Sequence, residues 1–92
     1  MTRDDFLAMV AAGSAELVIV TRPADGTLDG HSHPFAANAL VLRGELTIVI
    51  DGAGQLYRAG DVFSIAAGCA HAERFGPAGV SYLAARSVEN AT

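Results

Sequence analysis

Apolar positions in this chain fall in short runs separated by turn-forming residues. "ELVIVTR" (16–22), "ALVL" (39–42), "ELTIVI" (45–50), "QLYR" (55–58), "DVFSI" (61–65), "AHAERF" (70–75) and "VSYLAAR" (80–86) are rich in Val, Ile, Leu, Thr and Tyr. Between them lie "PADG", "RG", "DGAG", "AGD", "AAG" and "GPAG". Branched and aromatic side chains suit a pleated, half-buried surface, while Gly, Asp and Pro supply the turns. Short strands at this spacing predict an all-β chain folded as an antiparallel sandwich, barrel or jelly roll. The clearest element is "LTIVIDGAGQLYRAGD" (46–61), a hairpin turning at "DGAG" and followed by a second turn at Ala59, Gly60 and Asp61.

The N-terminus follows a different period. In "TRDDFLAMVAAG" (2–13), Thr2 is placed to cap a helix and Asp5 completes a capping-box pattern. Phe6, Leu7, Met9 and Val10 form its apolar face, and Gly13 is a natural stop. The pattern predicts a short helix over about residues 3–12, then a barrel over about residues 15–87.

Composition narrows the function classes. The 92 residues, 51% hydrophobic and 17% charged, form one folded domain over 1–92, without repeat, linker or low-complexity tract. A core this small gains from burial against a second copy, so a homodimer is expected. The net charge is −4, with six arginines and no lysine. No basic stripe faces a phosphate backbone, so nucleic acid is not an expected partner. The start, "MTRDDFLAMV", has acids where a secretory signal has a basic region, and the apolar runs are far shorter than the roughly 18 residues of a membrane span. The expectation is a cytoplasmic protein with no membrane partner. The single cysteine, Cys69, forms no intrachain disulfide.

Chemistry concentrates in "DGHSHPFAANALVLRGEL" (29–46), which holds two of the three histidines one residue apart. On an extended segment His31 and His33 project from one face, and His71 is the one other histidine available. Neutral imidazoles suit Zn, Fe, Ni and Cu, and three protein ligands leave coordination positions open for water or substrate. By spacing alone, the pair reads equally as two solvated histidines in a turn. No Ser-His-Asp set, C-x-x-C pair or phosphate-binding glycine loop is visible.

Over about residues 28–84 the chain resembles the cupin superfamily. "HSHPFAANALVLRGEL" is similar to the first cupin motif, H-x-H, three or four residues, Glu, six residues, Gly. "GDVFSIAAGCAHAERF" is similar to the second, with Gly60, Gly68 and His71 at the matching distances. The resemblance implies a small β-barrel in which His31, His33 and His71 face inward onto one divalent metal ion, Zn, Fe, Ni, Mn or Cu. Three departures stand out. Ala37 occupies the position of the family's glutamate, and Asn38 beside it would offer a weak carbonyl ligand after a one-residue shift. Ala66 replaces the proline, and Phe75 the asparagine, of the second motif.

An all-imidazole site leaves the ion's charge uncancelled, so a small anionic ligand such as a carboxylate or enolate is the expected partner. Glu73, two residues beyond His71, falls on the same strand face and serves as replacement ligand or general base, unless a bulge turns it to solvent. Tyr57, Tyr82 and Arg86 are candidates for a pocket mouth, but on strands they read more readily as surface or interface residues. Nothing marks Cys69 as a nucleophile. The function implied is a metal-dependent enzyme of dioxygenase or isomerase type acting on a small oxygenated molecule. The alternatives are a non-enzymatic binding module and a structural dimer with a vestigial site.

Overall fold

The computed structural model describes residues 1–10 and 15–87. Helix α1 (Arg3–Val10) precedes six strands, β1 (Ala15–Arg22), β2 (Thr27–His31), β3 (Ala36–Ile50), β4 (Ala53–Arg58), β5 (Val62–Ile65) and β6 (His71–Ser87). The predicted stop at Gly13 lies outside the described residues. Thr2 caps α1 as expected, its Oγ1 accepting the Asp5 N–H at 3.1 Å.

Two predicted breaks are bends within long strands. "ALVL" and "ELTIVI" belong to the single 15-residue β3, and "AHAERF" and "VSYLAAR" to the 17-residue β6. Gly44 (φ 74°) and Gly79 (φ 72°) make the bends, a left-handed backbone that costs little only for glycine. The bends also touch. A Cβ on Gly44 would run into the carbonyl oxygen of Gly79, and one on Gly79 would lie 2.6 Å from the carbonyl oxygen of Arg22.

All pairings are antiparallel, and each long strand changes neighbours at its bend. The 80–87 half of β6 lies between β1 and the first half of β3, which carries β5 on its far edge. The 71–75 half lies between β2 and the second half of β3, which carries β4. The result is two four-stranded layers sharing β3 and β6 and closing on one core, the jelly-roll barrel that the pattern predicts. The register shifts beside Arg43 and Gly44 reset the side-chain alternation. Ala39 and Val41 point inward before the bend and Leu46 and Ile48 after it, so both layers present apolar faces to the same interior.

Helix α1 lies outside the barrel, with Phe6 fully buried against Leu40, Leu83 and Ala85. Leu7 and Val10 join Phe6, but Met9 is 47% exposed, because at 100° per residue it falls off the arc those three span. In the β3–β4 hairpin the turn is only Asp51-Gly52, both with positive φ, and pairing resumes at Ile50 and Ala53. Among the described residues no helix is long and apolar enough to cross a membrane.

Candidate metal centre

The site forms where β2 meets the start of β6. His31 ends β2 and pairs directly with His71, the first residue of β6, while His33 follows in the segment leading to β3. The loop before β6 is tied down there, since the Gly68 N–H donates to the His33 carbonyl at 2.8 Å. β2 was not among the predicted strands, because "TLDGH" has one apolar residue, Leu28, and is ordered by the β6 edge it pairs with.

All three imidazoles meet. Ring centroids lie 4.3 Å apart for His31 and His71, 5.0 Å for His33 and His71, and 5.6 Å for His31 and His33. One nitrogen from each lies within 4.8 Å of the others. His31 Nδ1 donates to the Asp29 carbonyl at 2.8 Å, and His71 Nδ1 to the Cys69 carbonyl at 3.0 Å. A carbonyl only accepts, so these bonds place a proton on each Nδ1, and in the neutral imidazole Nε2 is then the nitrogen with the free lone pair. His33 stacks on Phe35 at 4.5 Å, which fixes its plane. Burial, and then the neighbouring His71, hold the His33 imidazole below its ordinary value, which keeps it in the neutral form that a metal requires.

Glu73 enters from β6 on the inward phase and is only 5% exposed, so no bulge turns it to solvent. Its Oε2 lies 3.5 Å from His31 Nε2 and 3.7 Å from His71 Nε2. With both rings in the neutral form that ligates a metal, the carboxylate and the two Nε2 atoms present acceptors to one another. His71 Nε2, His33 Nδ1 and Glu73 Oε1 are all buried without a hydrogen-bond partner. Buried acceptors left facing one another are costly, and a cation held between the imidazole nitrogens and Glu73 Oε2 relieves that cost. The donor set therefore fits a divalent first-row ion.

Asn38 does not take the glutamate's place. Ala37 faces the cavity, and Asn38, the next residue on the strand, points to the opposite face, where its Oδ1 accepts a hydrogen bond from Ser64. No register shift occurs there, as Ala37 pairs with Ile65 and Asn38 with Ser64.

The imidazoles line a cavity of about 410 Å³ that runs into the barrel. Tyr82 and Arg86 belong to it, contrary to the surface reading, because the β6 bend puts the even-numbered positions after Gly79 on the inside. Tyr82 is 8% exposed, and burial, helped by the Glu73 charge and opposed by Arg22, pushes its hydroxyl up to about 12. Arg86 lies over the Phe35 ring at 5.1 Å and 3.8 Å from Glu16. Tyr57 is half-buried against Phe63. Arg22 also lines the cavity and carries no motif to mark it. Its signal in the sequence is the alternation Val18, Val20, Arg22, which sets an arginine at an inward position of β1.

A bent, double-layered barrel with a three-imidazole cluster inside one end defines the class of protein. Residues 9–76 match the family model Cupin_2, the cupin domain, and the chain belongs to that family. No curated protein matches it. An RmlC-like cupin from Shewanella frigidimarina NCIMB 400 superposes with a TM-score of 0.71 at 21% identity, over 84% of this chain and 68% of its own. A protein of unknown function from Rhizobium leguminosarum bv. viciae 3841 gives 0.76 at 15%, over 82% and 71%. The DMSP lyase DddQ from Ruegeria pomeroyi DSS-3 gives 0.75 at 24%, over 86% of this chain but 41% of its own. These likenesses establish the fold.

Proposed function

We propose that this cupin holds one divalent first-row metal ion on His31, His33 and His71 and is a metal-dependent enzyme for a small oxygenated anion. The observation that carries the reading is the cage of acceptors, two Nε2 atoms whose Nδ1 protons are committed to backbone carbonyls, facing a buried carboxylate. Glu73 takes the role that Ala37 has vacated, supplying carboxylate charge from β6 instead of β3.

The bound ion would polarise a substrate oxygen and orient it. Asp29 and Cys69, through their carbonyls, hold the His31 and His71 rings so that Nε2 faces the cavity. Glu73 Oε1, buried and without a partner, is the proton acceptor at the site. Phe63, Ile65 and Ala84 line the cavity with apolar surface, excluding water from the reacting atoms. Oxygen-dependent cleavage and isomerisation both need these parts. The lyase among the structural neighbours supports the enzymatic reading by analogy of fold.

The test begins with metal analysis of protein purified without an affinity tag. One ion per chain, lost in His71→Ala, is the expected result. Failure to take up Zn, Ni or Fe refutes the reading. The loaded protein is then screened against small hydroxy- and oxo-acids, with an oxygen electrode for cleavage and NMR for isomerisation. Metal bound without turnover across the screen would leave a binding module in place of an enzyme.

A further inference from the structure

Arg22, the last residue of β1, follows Val18 and Val20 to the inside of the barrel and lines the same cavity as the three imidazoles. Its Nε is buried and has no hydrogen-bond partner. Among the described residues the arginine ion pairs are those of Arg58 with Glu45 and Arg86 with Glu16, while the Glu73 carboxylate lies against His31 and His71. Arg22 belongs to none of them. Tyr82, which lines the same cavity, has a hydroxyl that is neutral over the physiological range and supplies no countercharge.

A partly buried cation that no carboxylate pairs within 4 Å, set beside an apolar wall, is expensive unless a ligand supplies the anion. Val20, Leu28, Phe63 and Ile65 supply that apolar wall. The planar guanidinium fork matches a carboxylate bidentately, a geometry that a lysine ammonium does not reproduce. Arg86, the other arginine of the cavity, is already engaged by Glu16 and the Phe35 ring. At about 410 Å³ the cavity is of the size that encloses a small organic molecule.

We propose that Arg22 recognises a carboxylate on the substrate, so that the site takes a small carboxylic acid with a second oxygen group, the acid on Arg22 and the second oxygen at the imidazole cluster. The inference rests on the metal-centre reading for the second anchor, while the first stands on Arg22 alone. It makes Arg22 a specificity residue and separates small acids from neutral molecules of the same shape.

Isothermal titration of malonate, succinate, glutarate and adipate into chelated and zinc-loaded protein tests this, with Arg22→Met and Arg22→Lys in parallel and circular dichroism confirming the fold. The diacid that binds wild type best is expected to weaken by about tenfold or more in Arg22→Met, in both metal states, and by about threefold in Arg22→Lys. Zinc stoichiometry is expected to stay at that of wild type in both variants. An unchanged affinity in either folded variant, or no diacid binding to wild type, overturns the proposal. Loss of diacid binding in Arg22→Met by a protein that never takes up zinc would uphold Arg22 and sink the metal reading. Normal zinc uptake with unaltered diacid affinity in the variants would do the reverse. If Arg22→Met fails to fold, Arg22→Lys decides.

Discussion

Replacing Glu73 by Gln is expected to stabilise the metal-free protein while weakening its hold on a metal ion. In the native chain Oε2 faces His31 Nε2 at 3.5 Å and His71 Nε2 at 3.7 Å, and both rings have their protons committed elsewhere. The glutamine amide donates where the carboxylate only accepts, and it removes a buried charge whose Oε1 has no partner. Satisfying one such buried group is worth about 1–3 kcal/mol. In a domain of this size that corresponds to a rise in melting temperature of roughly 5–15 °C. The measurement is thermal unfolding with a chelator at about pH 8, where imidazole is ordinarily uncharged. Adding zinc at a hundred times its dissociation constant stabilises the wild type by about 2.7 kcal/mol. The variant, binding the ion more weakly, is expected to gain less at the same zinc concentration, so the two melting curves converge or cross. A Glu73→Gln protein that melts below wild type in chelator would show that the carboxylate stabilises the apo fold and does not face unsatisfied acceptors.

Other outcomes follow from the same geometry. Gly79→Ala forces a side chain into left-handed backbone and against the Arg22 carbonyl 2.6 Å away, so urea unfolding is expected to show a loss of about 2 kcal/mol or more. Burial holds the His33 imidazole below its ordinary value, so the unfolded chain takes up a proton before the folded one does. Metal-free protein should therefore lose stability as pH falls from about 6.5 through that lower folded value, and chemical denaturation at a series of pH values reads it. Phe6→Ala empties the fully buried contact of α1 on Leu40, Leu83 and Ala85, at a cost of about 3–5 kcal/mol in the same assay. The dimer proposed from the small size of the core, not from the site, predicts twice the mass of one chain in sedimentation velocity, and a monomer at micromolar concentration would refute it.

Local pattern was enough for every strand but β2, the capped helix, a hairpin at "DGAG" and the three histidines, since each depends on neighbours a few residues away. Where two strand runs belong to one long bent strand, local reading divided them, because "RG" and "GPAG" look the same whether the chain reverses or merely bends. Which occurs at Gly44 and Gly79 depends on their contact with each other between the paired strands β3 and β6. That contact sets the phase of everything after it. It turns Tyr82 and Arg86 inward, and it carries Arg22 and Glu73 into one cavity from strands far apart in the chain. Alternation was similarly sufficient to put Glu73 beside His71, yet it could not choose between Ala37 and Asn38 until pairing with β5 gave the register. Thus the amino-acid order by itself determined the candidate ligand types and their spacing, whereas only the closed barrel decided which polar groups share an interior. Side-chain direction along a strand is a local property, but its reference point is set by long-range pairing and by bulges.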